Sequence, residues 1–129
     1  MKKFKFFAAA LFLFTVFACG GLQKQVSLNE TTKTHTIEIK ASDFKFEPNN
    51  IRVSQGDRVT FRLENTSDTL HDFTLKDPGG KIIQDTDLPP RGTINVPVVF
   101  KTAGVYTFYC DRPLHASLGM RGRVEVIKQ

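Results

Sequence analysis

The chain has 129 residues, and its 18 basic and 13 acidic side chains give a formal net charge of +5 at pH 7. This length provides for one domain with one hydrophobic core and excludes two. Much of the basic excess comes from Lys2, Lys3 and Lys5, and the other basic residues are scattered along the chain, so we expect no nucleic-acid partner.

The N-terminal segment has the charge order of an export signal. A basic head, residues 1–5, precedes an apolar run from Phe6 to Ala18 that is interrupted by Thr15 alone. A membrane-spanning helix needs about 20 apolar residues, and this run is shorter. We therefore predict that residues 1–18 are a secretory signal peptide and that the protein is exported. An uncleaved membrane anchor is the alternative.

The junction that follows, Val16-Phe17-Ala18-Cys19-Gly20, resembles the lipobox of bacterial lipoproteins. In such signals the chain is cleaved just before the cysteine, which is then lipidated. The resemblance implies that lipidated Cys19 anchors the protein to a bacterial membrane, in the periplasm or at the cell surface. An ordinary leader with a cysteine near its cleavage site is the alternative.

A change of pattern separates a tether from a folded domain. Residues 19–33 contain few large apolar side chains, and we expect a flexible polar tether that begins at the lipidated cysteine. From Thr34 onward apolar and polar residues alternate, and this period of two is typical of half-buried strands. We therefore predict one domain over residues 34–129.

Six alternating segments predict strands, and turns rich in Gly, Pro, Asn and Asp separate them. No window has the 3.6-residue stripe of a long helix. The sequence therefore predicts an all-β sandwich or small barrel. The strand segments are Thr36–Lys40, Arg58–Leu63, His71–Lys76, Thr93–Phe100, Val105–Cys110 and Arg123–Ile127. The expected core residues are Ile37, Ile39, Phe44, Phe46, Val53, Val59, Phe61, Leu63, Phe73, Leu75, Val98, Phe100, Tyr106, Phe108, Val124 and Val126.

Three candidate metal ligands follow one another at equal spacing near the C-terminus. Cys110, His115 and Met120 are each five residues apart, on the segment that joins the last two predicted strands. A loop of this length can bring the three side chains to one point, and a thiolate, an imidazole and a thioether suit copper better than magnesium, calcium or manganese. Taken singly, they could equally be a buried thiol, a surface histidine and a core methionine.

A second imidazole would complete such a site, and two histidines remain after the signal segment. His35 stands beside the tether, at the entrance to the domain. His71 follows the polar stretch Asn65–Thr69 and begins a predicted strand, where a side chain can point into one pole of the sandwich. His71 is therefore the better candidate.

From about Asp43 to its end, the chain resembles the cupredoxins, the blue copper family that includes plastocyanin, azurin and rusticyanin. The spacing of the last three ligands is more similar to that of rusticyanin than to that of plastocyanin. The matching segments are Phe44–Pro48, Ile51–Val53, Gly56–Asp57, His71 with Phe73, Gly104–Cys110, His115 and Met120. The resemblance implies a Greek-key β-sandwich of about seven to eight strands.

The family pattern also implies the role of each candidate ligand. His71, Cys110 and His115 would be the three trigonal ligands of one copper, and Met120 would be the weak axial ligand. Four protein ligands leave no open position for a substrate, so we expect no enzyme activity. The resemblance implies that the copper cycles between Cu(I) and Cu(II) and carries single electrons between a donor and an acceptor protein.

Two positions next to the candidate ligands depart from the family pattern. In many cupredoxins, Asn or Ser follows the first histidine and Ser or Thr follows the cysteine, and these two residues hydrogen-bond across the site. Here the positions hold Asp72 and Asp111. Two ionised carboxylates facing each other would repel. We therefore expect that one of them points to solvent or that the local arrangement differs.

The loop around His115 is the expected docking surface for redox partners. Small and apolar residues surround this histidine, and in the family its edge emerges through such a patch. The docking residues would be Pro113, Leu114, Ala116 and Leu118, although the two leucines could instead cap the core. We expect a monomer. Copper buffering or delivery is the alternative function, and a domain that serves recognition alone is a third.

Overall fold

The computed structural model describes residues 33–129, which form nine strands in two packed sheets. The predicted signal peptide, Cys19 and all but the last residue of the predicted tether lie outside the described residues. Within residues 33–129, no helix is long and apolar enough to cross a membrane. The strands are β1 (Thr34–Ser42), β2 (Lys45–Glu47), β3 (Asn50–Ser54), β4 (Arg58–Asn65), β5 (His71–Lys76), β6 (Ile82–Leu88), β7 (Thr93–Val99), β8 (Gly104–Tyr109) and β9 (Arg121–Ile127).

The strand order combines parallel and antiparallel pairs. One sheet has the order β2-β1-β4-β7 and the other has the order β3-β9-β8-β5-β6. The pairs β1–β4 and β3–β9 are parallel, and the others are antiparallel. The predicted all-β sandwich is confirmed, with nine strands among the described residues instead of seven to eight.

All six predicted strand segments are strands in the structure, and three further strands were missed. Strand β2 has three residues, too few to show a period. Strand β6 contains Asp85 and Asp87 and is mostly exposed at the edge of its sheet, where β5 is its paired neighbour. Aspartate is disfavoured in strands, and an exposed edge strand does not need the apolar alternation that a buried strand shows.

The core is built from the inward-facing residues of both sheets, as the alternation predicts. In β4 every second residue is buried, and Val59, Phe61 and Leu63 are at most 1% exposed. Phe46 and Phe108 meet edge to face with their ring centroids 5.5 Å apart. Full burial of one such ring contributes roughly 1.5–3 kcal/mol. Phe108 lies two residues before Cys110, so this packing supports the strand end next to one candidate ligand.

The prediction that Phe44 lies in the core is wrong. It lies in the tight turn between β1 and β2 at a positive φ of 61°, and its side chain is 41% exposed. The turn interrupts the alternation of the strands, so the apolar residue at this position no longer faces inward. Its ring instead meets the edge of the His115 ring, with centroids 5.2 Å apart.

The register of the sheets defines two poles. Strand β1 runs the length of its sheet, with Thr34 opposite Arg58 at one end and Ala41 opposite Asn65 at the other. His71 at the start of β5 and Cys110 just after β8 lie at the Asn65 end, which we call the ligand pole. The described chain therefore enters the sandwich at the pole opposite the candidate ligands.

Candidate metal centre

Three of the predicted ligands converge at the ligand pole. The Sγ atom of Cys110 lies 3.3 Å from Nδ1 of His115 and 4.0 Å from Nδ1 of His71. The two Nδ1 atoms are 3.2 Å apart. His71 and Cys110 are fully buried, and His115 is partly buried. Within residues 33–129, these three form a group of His, Cys, Asp or Glu side chains that is compact enough to hold a metal ion.

Backbone hydrogen bonds close the loop that carries the last three predicted ligands. The N–H of Cys110 donates to the carbonyl of Met120 at 3.0 Å, and the N–H of Met120 donates to the carbonyl of His115 at 3.0 Å. The N–H of His115 donates in turn to the carbonyl of Arg112 at 3.1 Å. Met120 is fully buried where the loop joins β9. The loop is therefore anchored at both of its ends.

His71 is held from its other side by a polar group that the sequence did not single out. Its Nε2 atom lies 2.9 Å from the Ser67 hydroxyl oxygen, and this hydroxyl lies 2.8 Å from Oδ1 of Asn65. Both polar residues are buried, Ser67 at 8% and Asn65 at 1% exposed. The signal in the sequence was the polar stretch Asn65–Thr69 before His71, but the partner of each side chain depends on how the loop folds.

Asp72 and Asp111 do not face each other as two equivalent carboxylates. Asp72 is 3% exposed, and its Oδ1 atom accepts a hydrogen bond of 2.7 Å from the Asp111 N–H. The Asp111 side chain is exposed. Burial raises the pKa of Asp72 to about 6, and the nearby Asp111 carboxyl acts in the same direction. A backbone donor thus joins the two segments where many cupredoxins use a pair of side chains.

The buried position of the ligands changes their acidity. Burial lowers the pKa of His71, and the neighbouring His115 lowers it further, while Asp43 acts in the opposite direction. Burial raises the pKa of the Cys110 thiol, although the backbone N–H groups of Asp72 and Arg112 oppose this effect. Both shifts favour uncharged ligands in the metal-free protein, so a bound metal would displace the thiol proton.

The predicted docking residues surround His115 on the outer surface of the loop. Leu114 is 72% exposed and Leu118 is 58% exposed, so neither leucine caps the core. Pro113 is also exposed, and Ala116 is partly buried. These four residues and Phe44 form the apolar surface around His115, which we call the loop patch. Sequence reasoning did not assign Phe44 to it.

His35 lies apart from the cluster, as its position in the sequence suggested. Its Nε2 atom is 3.2 Å from Oδ2 of Asp57, at the pole opposite the ligands. Asp57 is 2% exposed and also accepts a hydrogen bond from the N–H of Ser54. This histidine joins the start of β1 to the turn before β4.

The donor set fits a soft or borderline metal. A buried thiol sulfur, two imidazole nitrogens and a nearby thioether residue are the ligands that copper prefers, whereas hard cations prefer oxygen. Within residues 33–129, a two-sheet β-sandwich with a largely buried His-Cys-His cluster at one pole defines a small domain with a candidate metal site.

Comparisons with known proteins agree with this class. The family described as Cupredoxin-like domain matches residues 7–126. Plastocyanin from Dryopteris crassirhizoma is 30% identical over 98 residues, which cover 67% of this chain and 92% of that protein. The multicopper oxidase mco from Staphylococcus aureus is 29% identical over 128 residues, or 83% of this chain, but this chain spans 28% of the oxidase. The chain belongs to the cupredoxin-like family.

Two solved structures show the same fold. Auracyanin from Roseiflexus castenholzii is 22% identical, with a TM-score of 0.59 over 74% of this chain and 98% of that protein. Auracyanin A from Chloroflexus aurantiacus, described as a "blue" copper protein, is 24% identical, with a TM-score of 0.62 over 72% of this chain and 98% of its own. The cupredoxin-like sandwich expected from the sequence is thus confirmed.

Proposed function

We propose that the domain over residues 34–129 is a type 1 (blue) copper protein that carries single electrons between redox partners. His71, Cys110, His115 and Met120 would hold one copper, with the thioether of Met120 as the weakest donor. When bound, this copper supplies the exchange of one electron between Cu(II) and Cu(I). The observation that carries the proposal is the compact His-Cys-His cluster, with His71 and Cys110 fully buried, at one pole of a cupredoxin-like sandwich.

The fold holds the proposed ligands rigidly in place. His71 stands on a strand, and Cys110 and Met120 are tied together through the backbone of the loop. Buried ligands in a packed interior change position little, so one geometry can serve both oxidation states. This rigidity favours fast electron exchange.

The loop patch provides the route to a partner protein. His115 is the partly buried ligand, and Leu114 and Leu118 are exposed beside it. Electron-transfer encounters are weak and use small interfaces. The five residues of the loop patch could form an interface of this kind. The donor and the acceptor protein therefore dock at the same surface, in turn, with the protein acting as a monomer.

The site is better suited to a carrier than to an enzyme. Catalytic metal sites keep a position open for water or substrate, whereas four protein ligands fill this one. The cavity of about 440 Å³ on the outer face of the five-stranded sheet is lined by residues such as Asn49, Thr107 and Arg123 and by none of the ligands. We therefore assign the protein no catalytic reaction.

The proposal places the protein at an extracytoplasmic membrane surface. Residues 1–18 are the signal peptide, Cys19 is the lipidated residue, and residues 19–33 are the tether. The basic and apolar order of the leader and the junction Ala18-Cys19-Gly20 support this location. The anchor would hold the carrier in the periplasm or at the cell surface, where exported redox proteins meet it.

Visible absorption tests the proposed function directly. The domain from Thr34 onward, given one equivalent of Cu(II), should develop an intense blue or green thiolate-to-copper band. A mild reductant should bleach this band reversibly, and Cys110→Ser should abolish it. A colourless product, or copper that binds as Cu(I) alone and passes readily to a chelator, would favour copper buffering or delivery instead.

A further inference from the structure

Two polar side chains behind His71 form a chain of hydrogen bonds whose direction can be deduced. We propose that Asn65 and Ser67 fix the tautomer of His71, so that Nδ1 is unprotonated and aimed at the metal site before any metal arrives. The expected effect on copper binding rests on the proposed function. The hydrogen-bond arrangement and the tautomer of His71 do not. It makes Ser67 a positioning residue for the metal ligand.

The first step is the orientation of the Asn65 amide. Its Nδ2 atom lies 2.8 Å from the carbonyl oxygen of Thr69, 3.1 Å from that of Leu88 and 3.0 Å from that of Pro89. Carbonyl oxygens accept hydrogen bonds and never donate them, so the amide nitrogen must face these three groups. The Oδ1 atom of Asn65 therefore faces the other way, towards Ser67.

The second step is the direction of the Ser67 hydroxyl. A hydroxyl has one hydrogen to donate, and an amide oxygen can only accept. The hydroxyl oxygen lies 2.8 Å from Oδ1 of Asn65 and 2.9 Å from Nε2 of His71, whereas the carbonyl of Thr69 is 3.4 Å away. Two oxygens 2.8 Å apart need a hydrogen between them, and only the hydroxyl can supply it. The hydrogen of Ser67 is therefore directed at Asn65. Its oxygen accepts from the Thr69 N–H at 3.2 Å and has one lone pair left.

The third step is the tautomer of His71. Its Nε2 atom lies 2.9 Å from this hydroxyl oxygen, which has no hydrogen left to donate. Nε2 must therefore carry the proton and donate it. The carboxylate of Asp43, 3.9 Å from Nε2, favours the same arrangement. A neutral imidazole with its proton on Nε2 has its lone pair on Nδ1, the atom that points towards Cys110 and His115.

This arrangement prepares the site for metal binding. The relay involves residues from the end of β4 to the start of β5, and the Asn65 amide also binds the backbone at Leu88, the last residue of β6. The ring of His71 is consequently held at Nε2, which leaves Nδ1 directed at the cluster. Partners that orient a metal-binding histidine in this way typically contribute about 10–100-fold to metal affinity.

Nitrogen-15 NMR of the metal-free protein tests the tautomer without copper. The long-range imidazole spectrum of His71 should show a protonated Nε2 and an unprotonated Nδ1, assigned by comparison with the variants His35→Gln and His115→Gln, since the protein has three histidines. A His71 ring with its proton on Nδ1 overturns the proposal. This result stands even if the copper-loaded protein proves colourless, so failure of the relay and failure of the proposed function can be distinguished.

Variants at Ser67 test the consequence for copper. In Ser67→Ala, His71 should lose its single tautomer, and the Cu(I) affinity, measured by competition with a chromophoric chelator, should fall by roughly 10-fold or more. Ser67→Thr keeps the hydroxyl and should restore both properties. Thr66→Val is the matched control, because the Thr66 hydroxyl binds the carbonyl of Ala41 and not His71.

Each outcome of the variant series either supports or overturns the relay from Asn65 through Ser67 to His71. Ser67→Ala with wild-type tautomer and affinity overturns the relay, and so does an equal loss in the control Thr66→Val. If Ser67→Ala does not fold, the tautomer of His71 in the wild-type protein and the Cu(I) affinity of Ser67→Thr still test the relay. A Ser67→Thr protein that folds but binds Cu(I) tenfold more weakly, with His71 in mixed tautomers, counts against the hydroxyl.

Discussion

Asp72 places a carboxylate in the protein interior beside the proposed copper thiolate. Its N–H lies 3.5 Å from Sγ of Cys110, and its Oδ1 atom accepts from the N–H of Asp111. A negative charge at this position stabilises Cu(II) relative to Cu(I), because the oxidised site carries one more positive charge. Asparagine would keep an oxygen that can accept the Asp111 N–H but would remove the charge.

We therefore expect Asp72→Asn to raise the reduction potential. One charge at a distance of about 7 Å, with an effective dielectric constant near 20, corresponds to about 2 kcal/mol, or on the order of 100 mV. The measurement is a redox titration of the blue band at pH 8, where a carboxyl whose pKa is about 6 is ionised. Asp111→Asn, at an exposed position, should have a smaller effect. An unchanged potential in Asp72→Asn would contradict this account of the charge.

The candidate ligands could be predicted from the sequence, whereas the residues that support them could not. Cys110, His115 and Met120 could be found because their spacing along one loop is itself a pattern. The roles of Asn65 and Ser67 could not, because their partners come from the ends of β5 and β6 and meet only in the folded protein. A single alternating pattern cannot show which polar side chains of a loop turn inward.

The loop between β8 and β9 carries proposed ligands on its inner side and the proposed docking residues on its outer side. Its backbone bonds and Met120 face the interior, whereas Leu114 and Leu118 face solvent. Leu114 has a positive φ of 70°, as befits a residue in a tight turn. We therefore expect that the proposed ligands and the proposed docking surface can be altered independently of each other.

We expect the double substitution Leu114→Glu and Leu118→Glu to slow electron exchange while leaving the blue band unchanged and lowering the potential only slightly, because both positions are exposed to solvent. Two like charges on each of two meeting loop patches would repel, and loss of the apolar contact adds to the effect. The rate of electron self-exchange, measured by NMR line broadening, should fall roughly 10-fold or more. A charge-matched control is Ile82→Glu with Ile83→Glu, on exposed residues of the edge strand β6. Equal rates in the two variants would rule out docking at the loop patch.

At the level of elements, the strands predicted from alternation are those that pack against the core on one face. Of the missed strands, β2 is too short to show such a pattern and β6 is exposed at an edge. Strand β3 does alternate, with Ile51 and Val53 buried, but over five residues only. Phe44 shows the opposite error, since an apolar residue next to a strand was assigned to the core although it belongs to a turn. Periodicity reports burial on a sheet face, and it is uninformative at turns and edges.

The whole molecule is proposed to consist of a lipidated N-terminus, a tether and one cupredoxin domain. Its architecture follows from the sequence to a large extent, because two periodic sheets and one ligand loop account for most of residues 34–129. The pairing order of the strands does not follow from periodicity. The parallel pairs β1–β4 and β3–β9 join segments that are distant in the chain.

We expect Cys19→Ser to release the protein from the membrane without altering the copper site. Lipidation requires the cysteine thiol, whereas the ligands lie in a domain that begins about 15 residues later. In an expressing bacterium, the protein should move from the membrane fraction to the soluble fraction and lose incorporation of labelled fatty acid. Its blue band should remain. A Cys19→Ser protein that stays in the membrane with a shifted band would contradict the assignment of Cys19 as the anchor.

The entry of the chain at the pole opposite the ligands gives the tethered molecule a direction. Strand β1 has nine residues and rises from Thr34 to the ligand pole, a height of about 30 Å at roughly 3.3 Å per residue. With lipid attached at Cys19, the end of the domain nearest the bilayer would be the one that carries His35 and Asp57. The loop patch would then face outward, above the lipid headgroups. Such a carrier would exchange electrons with soluble proteins or with domains that project well above the membrane, and tilting of the domain on its predicted flexible tether would bring the loop patch towards the headgroups.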